Sequence, residues 1–361
     1  MTKGARVTQR TLTIDGFDIS DASDCYVIAE VGHNHQGDVK KCKELFRVAR
    51  ECGADAVKLQ KRDNRSLYTR AMYEKPYDNE NSFGATYGEH REALEFGRDE
   101  YRELQRYSRE IGITFFATAF DLPSADFLES LDMPAYKIAS GDLRTIPLLR
   151  HIARFGKPMI VSTGGGTMED VMRAYDAIMP INPRLCFLQC TAAYPASAED
   201  LNLNVITTLR ARFPELVIGL SDHENGIAMA VAAYVLGARV IEKHFTLNHT
   251  WKGTDHAFSL EPIGMRKLVR DLRRAREALG SSVKCPLPSE QSSMVKMGKK
   301  LVARRALGVG HVLTEDDLAM KSPGDGLPPH LLGQVIGRTL TRPLQPDDAI
   351  SFAALAQGEA E

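Results

Sequence analysis

His223 and His244 stand twenty-one residues apart, in Gly219-Leu220-Ser221-Asp222-His223 and Val240-Ile241-Glu242-Lys243-His244, each just past a short apolar run that reads as a buried strand. Two imidazoles at the ends of adjacent strands could hold one metal ion, because neutral imidazole is the commonest protein ligand for transition metals. A strand-end histidine on its own is more often a hydrogen-bonded structural group, so the pair acquires meaning only from its neighbours. Those neighbours are strongly polar: Glu30, Lys58 with Gln60, Thr118, Lys137 with Ser140 and Asp142, Ser162 with Thr163, Gln189 with Thr191, Ser221, and Lys243. Lys58 and Lys137 lie inside apolar strands, where an unpaired ammonium is costly, and so predict a bound anion. Lysines combined with hydroxyls and helix N-termini suit a phosphate. The turn Ser162-Thr163-Gly164-Gly165-Gly166-Thr167, between a strand and a helix, lets backbone amides approach such a ligand. Glu30 is then the main acidic group, available for acid–base work or for orienting metal-bound water. The bland readings are that the hydroxyls cap helices and the lysines reach solvent.

The elements that must position these groups are eight short apolar runs, at 25–31, 54–60, 113–118, 135–140, 158–163, 185–191, 216–221 and 239–244. Several follow a helix that ends at glycine, as in Cys52-Gly53-Ala54-Asp55 and Leu236-Gly237-Ala238, and their composition suits strands covered on both faces. Segments between them, such as 40–51, 99–110, 168–178 and 227–236, repeat apolar residues at three and four spacing and predict amphipathic helices. Eight β–α units predict a (β/α)8 TIM barrel, in which the carboxyl ends of the strands converge on one pocket. An open doubly wound sheet is the alternative, but no GxGxxG turn follows the first strand.

Residues 64–97 interrupt this rhythm with a long polar segment, which predicts a lid or substrate-contacting loop, with a disordered insertion as the alternative. After a helix at 262–279 the chain passes through a Ser-, Pro- and Gln-rich stretch. The organisation predicted is a barrel over 1–280, a linker over 281–300 and a small domain over 301–361. Within that domain Leu313-Thr314-Glu315-Asp316-Asp317-Leu318 and Leu344-Gln345-Pro346-Asp347-Asp348-Ala349-Ile350 are weakly similar. Its size makes independent stability marginal and predicts docking on a barrel, its own or a partner's.

The 46 basic and 47 acidic residues give a formal net charge of −1, so nothing general favours nucleic acid or an anionic membrane, and any anion site is local. The six cysteines form no CxxC pair and fit reduced thiols. No window approaches a membrane span, and the polar first twenty residues lack the apolar segment of a signal peptide; the expectation is a soluble, cytoplasmic protein.

These residues carry a resemblance. Ile28-Ala29-Glu30-Val31-Gly32 with Asn34-His35-Gln36-Gly37, Gly53-Ala54-Asp55-Ala56-Val57-Lys58-Leu59-Gln60, Ala117-Thr118-Ala119-Phe120-Asp121 and Lys137-Ile138-Ala139-Ser140-Gly141-Asp142 are followed by Ser162-Thr163-Gly164 and Cys190-Thr191-Ala192-Ala193-Tyr194-Pro195. Then come Gly219-Leu220-Ser221-Asp222-His223, Ile241-Glu242-Lys243-His244-Phe245-Thr246 and Gly253-Thr254-Asp255-His256-Ala257. In that order they resemble the sialic acid synthase (NeuB-like) family, which condenses phosphoenolpyruvate with a hexosamine and carries a C-terminal antifreeze-like (SAF) domain. The resemblance implies that His223 and His244 hold a divalent ion, Mn2+ or Mg2+. It implies that Lys58, Thr118, Lys137, Ser140, Ser162 and Ser221 surround phosphoenolpyruvate, with Thr191 nearby, and that Tyr194 and Asp255 face the sugar. Glu30 is then expected to move protons or orient water, with Asp142 as its partner. It further implies a homodimer in which one subunit's SAF domain caps the other's barrel.

Three positions depart from the family pattern. Asp142 stands where many members have Glu, and Ala192 where many have Asn. The turn Lys321-Ser322-Pro323-Gly324 lacks the Arg that commonly contacts the sugar's N-acyl group, a loss that Lys321 or Arg304 would have to make good. Other readings are a metal-dependent amidohydrolase built on the pair in His33-Asn34-His35, and a non-catalytic carbohydrate-binding relative. A synthase acting on a phosphorylated aldose would need a second phosphate pocket, for which the sequence marks no place.

Overall fold

The structure is a computed structural model that describes residues 10–356. It opens with a hairpin, β1 (Thr11–Ile14) and β2 (Phe17–Ser20), turning at Asp15-Gly16. Eight parallel strands follow: β3 (Tyr26–Gly32), β4 (Ala56–Lys61), β5 (Thr114–Ala119), β6 (Tyr136–Ile138), β7 (Met159–Ser162), β8 (Leu185–Cys190), β9 (Val217–Asp222) and β10 (Val240–His244). They close into one barrel in sequence order, with β10 pairing back onto β3, Val240 beside Tyr26 and His244 beside Glu30. Each lies within about two residues of the run that predicted it. The predicted helices form as well, among them Val39–Glu51, Arg98–Ile111, Met168–Ile178, Ala228–Val235 and Pro262–Leu279.

Alternation along the strands separates two cores. Outward residues such as Val27, Val57, Leu59, Phe115, Phe187 and Ile218 pack under the surrounding helices. Inward residues near the amino-terminal ends, including Tyr26, Ile28, Ala56, Phe116, Ile160, Leu188 and Val240, fill the barrel together with Leu12, Ile14 and Ile19 of the hairpin. The hairpin therefore plugs the bottom of the barrel. Toward the carboxyl ends the same inward face turns polar, and that change of character builds the site.

A second compact unit begins at Ser281. The segment expected to be only a linker contains a short helix, Gln291–Met297. Beyond it β11 (Lys300–Ala303) and β12 (Leu318–Lys321) pair antiparallel over a core of Leu301, Leu307, Leu313, Leu318, Val335, Leu340, Leu344 and Ile350. The weak internal similarity is one turn device used twice: Thr314 N donates to the Asp317 carboxylate at 2.9 Å and Gln345 N to that of Asp348 at 2.7 Å. All six cysteines are free, and only Cys285 is exposed. No described helix is long and apolar enough to cross a membrane.

Candidate active site

The carboxyl-terminal mouth of the barrel holds a pocket of about 510 Å³. Of the residues singled out from the sequence, Glu30, Lys58, Thr118, Lys137, Ser140, Ser162, Tyr194, Ser221, His223, His244 and Asp255 line it. A larger cavity, about 800 Å³, lies at the opposite end beside the hairpin and Pro134, Pro158 and Pro183. Its Lys157 is already paired with Glu129 and Asp132, and no histidine reaches it.

The floor of the mouth pocket is a compensated set of charges. Lys58 Nζ lies 2.6 Å from Glu30 Oε2 and donates to Thr118 Oγ1 at 2.8 Å. Lys137 Nζ donates to Ser162 Oγ at 2.6 Å and to the Ile138 carbonyl at 3.0 Å. Glu242 Oε1 sits 3.7 Å from each ammonium and accepts from Ser221 Oγ. The lysines are thus not bare, as the apolar strands had suggested; two buried carboxylates answer them. Glu242 was missed because Lys243 was taken as the strand-end group. The period of two puts Glu242 and His244 on the inner face and sends Lys243 outward, where it pairs with Asp222 at 2.7 Å.

The two carboxylates are pushed apart. Burial raises Glu30 above its ordinary pKa in spite of Lys58. Burial also works against ionised Glu242, but Lys137, Lys58 and the two histidines outweigh it and hold that carboxyl low. Glu30 is therefore the group placed to carry a proton, with Glu242 a fixed anion. Glu30 Oε1 accepts from Gln60 Nε2 at 2.7 Å. Its Oε2 lies against the Lys58 ammonium. A bulge after Glu30 turns the strand through Gly32 at φ +53°, where a Cβ would stand 3.2 Å from both Glu30 Oε1 and Gln60 Nε2. Asp142, expected beside Glu30, lies outside the pocket lining; it accepts from Thr145 Oγ1 at 3.1 Å in the turn that carries Ser140, and burial lifts it to about 6.

The histidines face each other with ring centroids 5.4 Å apart. His223 Nδ1 lies 2.9 Å from the Thr191 carbonyl, which fixes its proton there and turns the Nε2 lone pair free. Burial, reinforced by His244, lowers His223 to about 4, and burial also lowers His244. Both rings are neutral near pH 7. His244 Nδ1 is buried without a hydrogen bond, 3.6 Å from Asp255 Oδ2. Two neutral, facing imidazoles, one carrying an orphaned nitrogen, fit a divalent cation. Among the described residues no group of three or more His, Cys, Asp or Glu is arranged around a metal position, so two protein ligands would leave the other coordination positions open. The Tyr194 ring stands over His223 at 4.3 Å, and Phe258 packs on His244 at 4.8 Å.

One expected contact is turned away. Thr191 turns its hydroxyl to the Asp200 carbonyl and offers the site only its own carbonyl. Lys321 belongs to the second unit, where it pairs with Asp347. The glycine-rich turn does approach closely: a Cβ on Gly164 would lie 2.7 Å from Ser140 Oγ, and the Gly164 amide donates to that hydroxyl. Of the HxH pair, His33 is held between Arg62 and Arg91, while His35 stacks on Phe96 and takes the Gly37 amide. Neither lines the pocket, which removes the hydrolase's ligand set.

The sequence reading also missed Arg62 and Arg91, which do line the pocket. Arg62 continues the inward alternation Lys58, Gln60, Arg62. Arg91 comes from the 64–97 segment, which folds into short helices, the last being Tyr87–Glu92 with a Thr86/Glu89 capping box. That Thr-x-x-Glu pattern was a readable helix start inside a stretch that otherwise has no period.

Comparison with known proteins agrees with this geometry. The NeuB family profile matches residues 45–284 and the SAF domain profile residues 300–356. The human N-acetylneuraminate-9-phosphate synthase is 45% identical, over 90% of this chain and 91% of its own length. The chain belongs to the NeuB family. Another relative is the N,N'-diacetyllegionaminic acid synthase of Legionella pneumophila, 36% identical over 88% of this chain and 90% of its own. Among solved structures, the N-acetylneuraminic acid synthetase of Leptospira borgpetersenii in complex with citrate superposes with a TM-score of 0.70 at 30% identity, covering 80% of this chain and 97% of that one. The protein is a NeuB-type transferase, a TIM barrel with a C-terminal SAF domain.

Proposed function

We propose that this NeuB-family protein condenses phosphoenolpyruvate with the open-chain aldehyde of an N-acylated hexosamine, releasing phosphate and a nine-carbon 2-keto acid. The observation that carries this reading is the convergence, in one pocket, of two neutral histidines with a lysine–carboxylate floor whose acids differ in basicity. Lys58, Lys137, Thr118, Ser140, Ser162 and Ser221 supply the donors that a phosphate and a carboxylate need. Tyr194 and Asp255 flank the acceptor.

Carbon 3 of phosphoenolpyruvate forms a bond to the aldehyde carbon, whose oxygen takes up a proton and becomes a hydroxyl. Water adds at carbon 2, and the C–O bond to phosphate breaks to leave the keto group. A divalent cation, Mn2+ or Mg2+, when held by His223 and His244, supplies Lewis-acid polarisation of the aldehyde oxygen. Glu30, buried and held above its ordinary pKa, takes the proton of the attacking water. Gln60 fixes one carboxylate oxygen, and Lys58 beside Glu30 keeps the proton mobile. Asp142 supports the turn that presents Ser140.

We further propose a cytoplasmic homodimer in which the SAF domain of one subunit caps the partner's barrel and brings Lys321 to the sugar. Exposed Val283, Leu287, Met294, Val295 and Met297 along 283–297 support an interface there. The products named for the relatives divide between a phosphorylated and an unphosphorylated acid.

The test is incubation with phosphoenolpyruvate, Mn2+ and a panel of N-acetylated, diacetamido and unsubstituted hexoses, free and phosphorylated, with the 2-keto acid identified by mass spectrometry. Phosphate release that depends on the acceptor and stops with chelator is expected. Release without acceptor contradicts the reading, and turnover that survives chelation contradicts the metal assignment.

A further inference from the structure

We infer that Arg62 and Arg91 form an anion subsite for a phosphate at the end of the acceptor sugar remote from its aldehyde. The inference rests on the synthase reading and names the substrate class within it.

Arg62 is 7% exposed, and its guanidinium carbon lies over Phe120, 3.8 Å from the ring centroid. Its Nη2 donates to Gln60 Oε1 at 2.7 Å. Arg91 is half-buried, held by Tyr87, whose hydroxyl accepts from Nε at 3.0 Å and from Nη2 at 2.8 Å. Both guanidinium groups converge on one imidazole: Arg62 Nη1 is 3.1 Å from His33 Nε2, and Arg91 Nη1 is 3.3 Å from His33 Nδ1. A neutral imidazole has one acceptor nitrogen and one donor. Two N–H groups therefore compete for a single lone pair, and one is left facing another N–H.

The carboxylates nearby answer this charge only in part: Glu95 Oε1, buried and without a hydrogen bond, also lies 3.6 Å from His33 Nε2, and Asp255 helps to hold the Arg91 charge. Glu95 Oε1 is 4.0 Å from Arg62, and its Oε2 is already taken by Lys61 at 3.0 Å. Asp255 is directed at His244 and Thr254. Burial lowers the basicity of Arg62, and Arg91 lowers it further. Burial and the two arginines keep His33 neutral. Two fork-shaped cations on a pocket wall, short of one acceptor, are what a bidentate phosphate satisfies.

Position gives the ligand's orientation. Arg62, the first residue past β4, stands four residues beyond Lys58, at most roughly 13 Å toward the mouth. Gln60 and Glu30 fill the interval. Phosphoenolpyruvate on the lysine floor and an aldehyde at the histidines leave the sugar's far end on the arginine side, where Arg91 enters from the 64–97 segment.

The experiment uses the full chain with phosphoenolpyruvate and Mn2+ and compares N-acetylmannosamine with its 6-phosphate. The 6-phosphate is expected to have the higher kcat/KM by about a hundredfold. Arg91→Gln is expected to cut that preference at least about tenfold, through the acceptor's KM, with the KM for phosphoenolpyruvate moving less than about threefold. Arg62→Lys, which keeps the charge but loses the fork, should fall between. Because Arg62 is buried, Arg91→Gln is the decisive variant, with its melting curve recorded alongside, and calorimetric titration of the 6-phosphate should weaken in parallel. Equal kcat/KM for the two acceptors overturns the subsite. So does a loss in Arg91→Gln shared by both acceptors with a raised KM for phosphoenolpyruvate, which would give the arginines to that substrate. No keto acid from any acceptor would instead defeat the synthase reading and this inference with it.

Discussion

The pocket has two cationic regions, and they are built differently. On its floor, Lys58 and Lys137 are matched by Glu30 and Glu242, with hydroxyls completing the set. On its wall, Arg62 and Arg91 share one imidazole, and the one carboxylate within 4.0 Å of Arg62, Glu95, is also engaged by Lys61. A compensated floor is organised before substrate arrives and can accept and return protons. A wall compensated only in part gains its remaining partner only on binding. Reacting groups belong on the first and selecting groups on the second.

Five substitutions and one pH profile would break or sharpen that contrast. The largest effect is expected at the floor. Lys137→Met should lower kcat/KM about a thousandfold for every acceptor alike, measured by phosphate release; a loss confined to one acceptor would make the floor a selecting surface. Next, Glu242→Gln should reduce the free energy of unfolding in urea by about 3 kcal/mol, because two buried ammonium groups lose a counter-charge. Arg91→Gln should cost less than about 1 kcal/mol in the same assay, the wall having no such balance to lose.

Glu30→Gln should lower kcat about a hundredfold, and Asp142→Asn less than about threefold, since only Glu30 lines the pocket. Equal losses would restore Asp142 as a proton-moving partner. The smallest change is in pH. His223 is lowered to about 4, chiefly by burial, so its neutral form is present above that value and is lost as pH falls through it. The acid limb of kcat/KM due to this group should lie near pH 4; a limb centred near the ordinary histidine value of about 6.5 would contradict the buried, neutral pair.

The barrel was legible because each strand is a short apolar run, four of them after a glycine-ended helix, and strand ends converge in this fold whatever the details. The hairpin at the barrel's bottom was not, although Asp15-Gly16 between alternating Thr11–Ile14 and Phe17–Ser20 is a turn signal; four-residue strands are too short to show their period against polar surroundings. Most of the floor could be read from residue type, but its compensation could not. Glu242 was hidden beside Lys243, and the choice between them depends on which face of β10 is inside. Arg62 was readable by the same alternation and Arg91 by its capping box. Their meeting at His33 is a tertiary fact that joins positions 33, 62 and 91. Thr191 shows the converse: a strand-end hydroxyl that faces away while its carbonyl orients His223.

The central claim is that this pocket joins phosphoenolpyruvate to a sugar aldehyde. The most direct measurement follows inorganic phosphate and the 2-keto acid together, by colorimetry and mass spectrometry, with phosphoenolpyruvate and Mn2+, with and without acceptor. Phosphate and a nine-carbon 2-keto acid appearing in equal amounts, only when an N-acylated hexosamine or its phosphate is present, is the predicted result. Phosphate without keto acid, or neither from any acceptor, would contradict it.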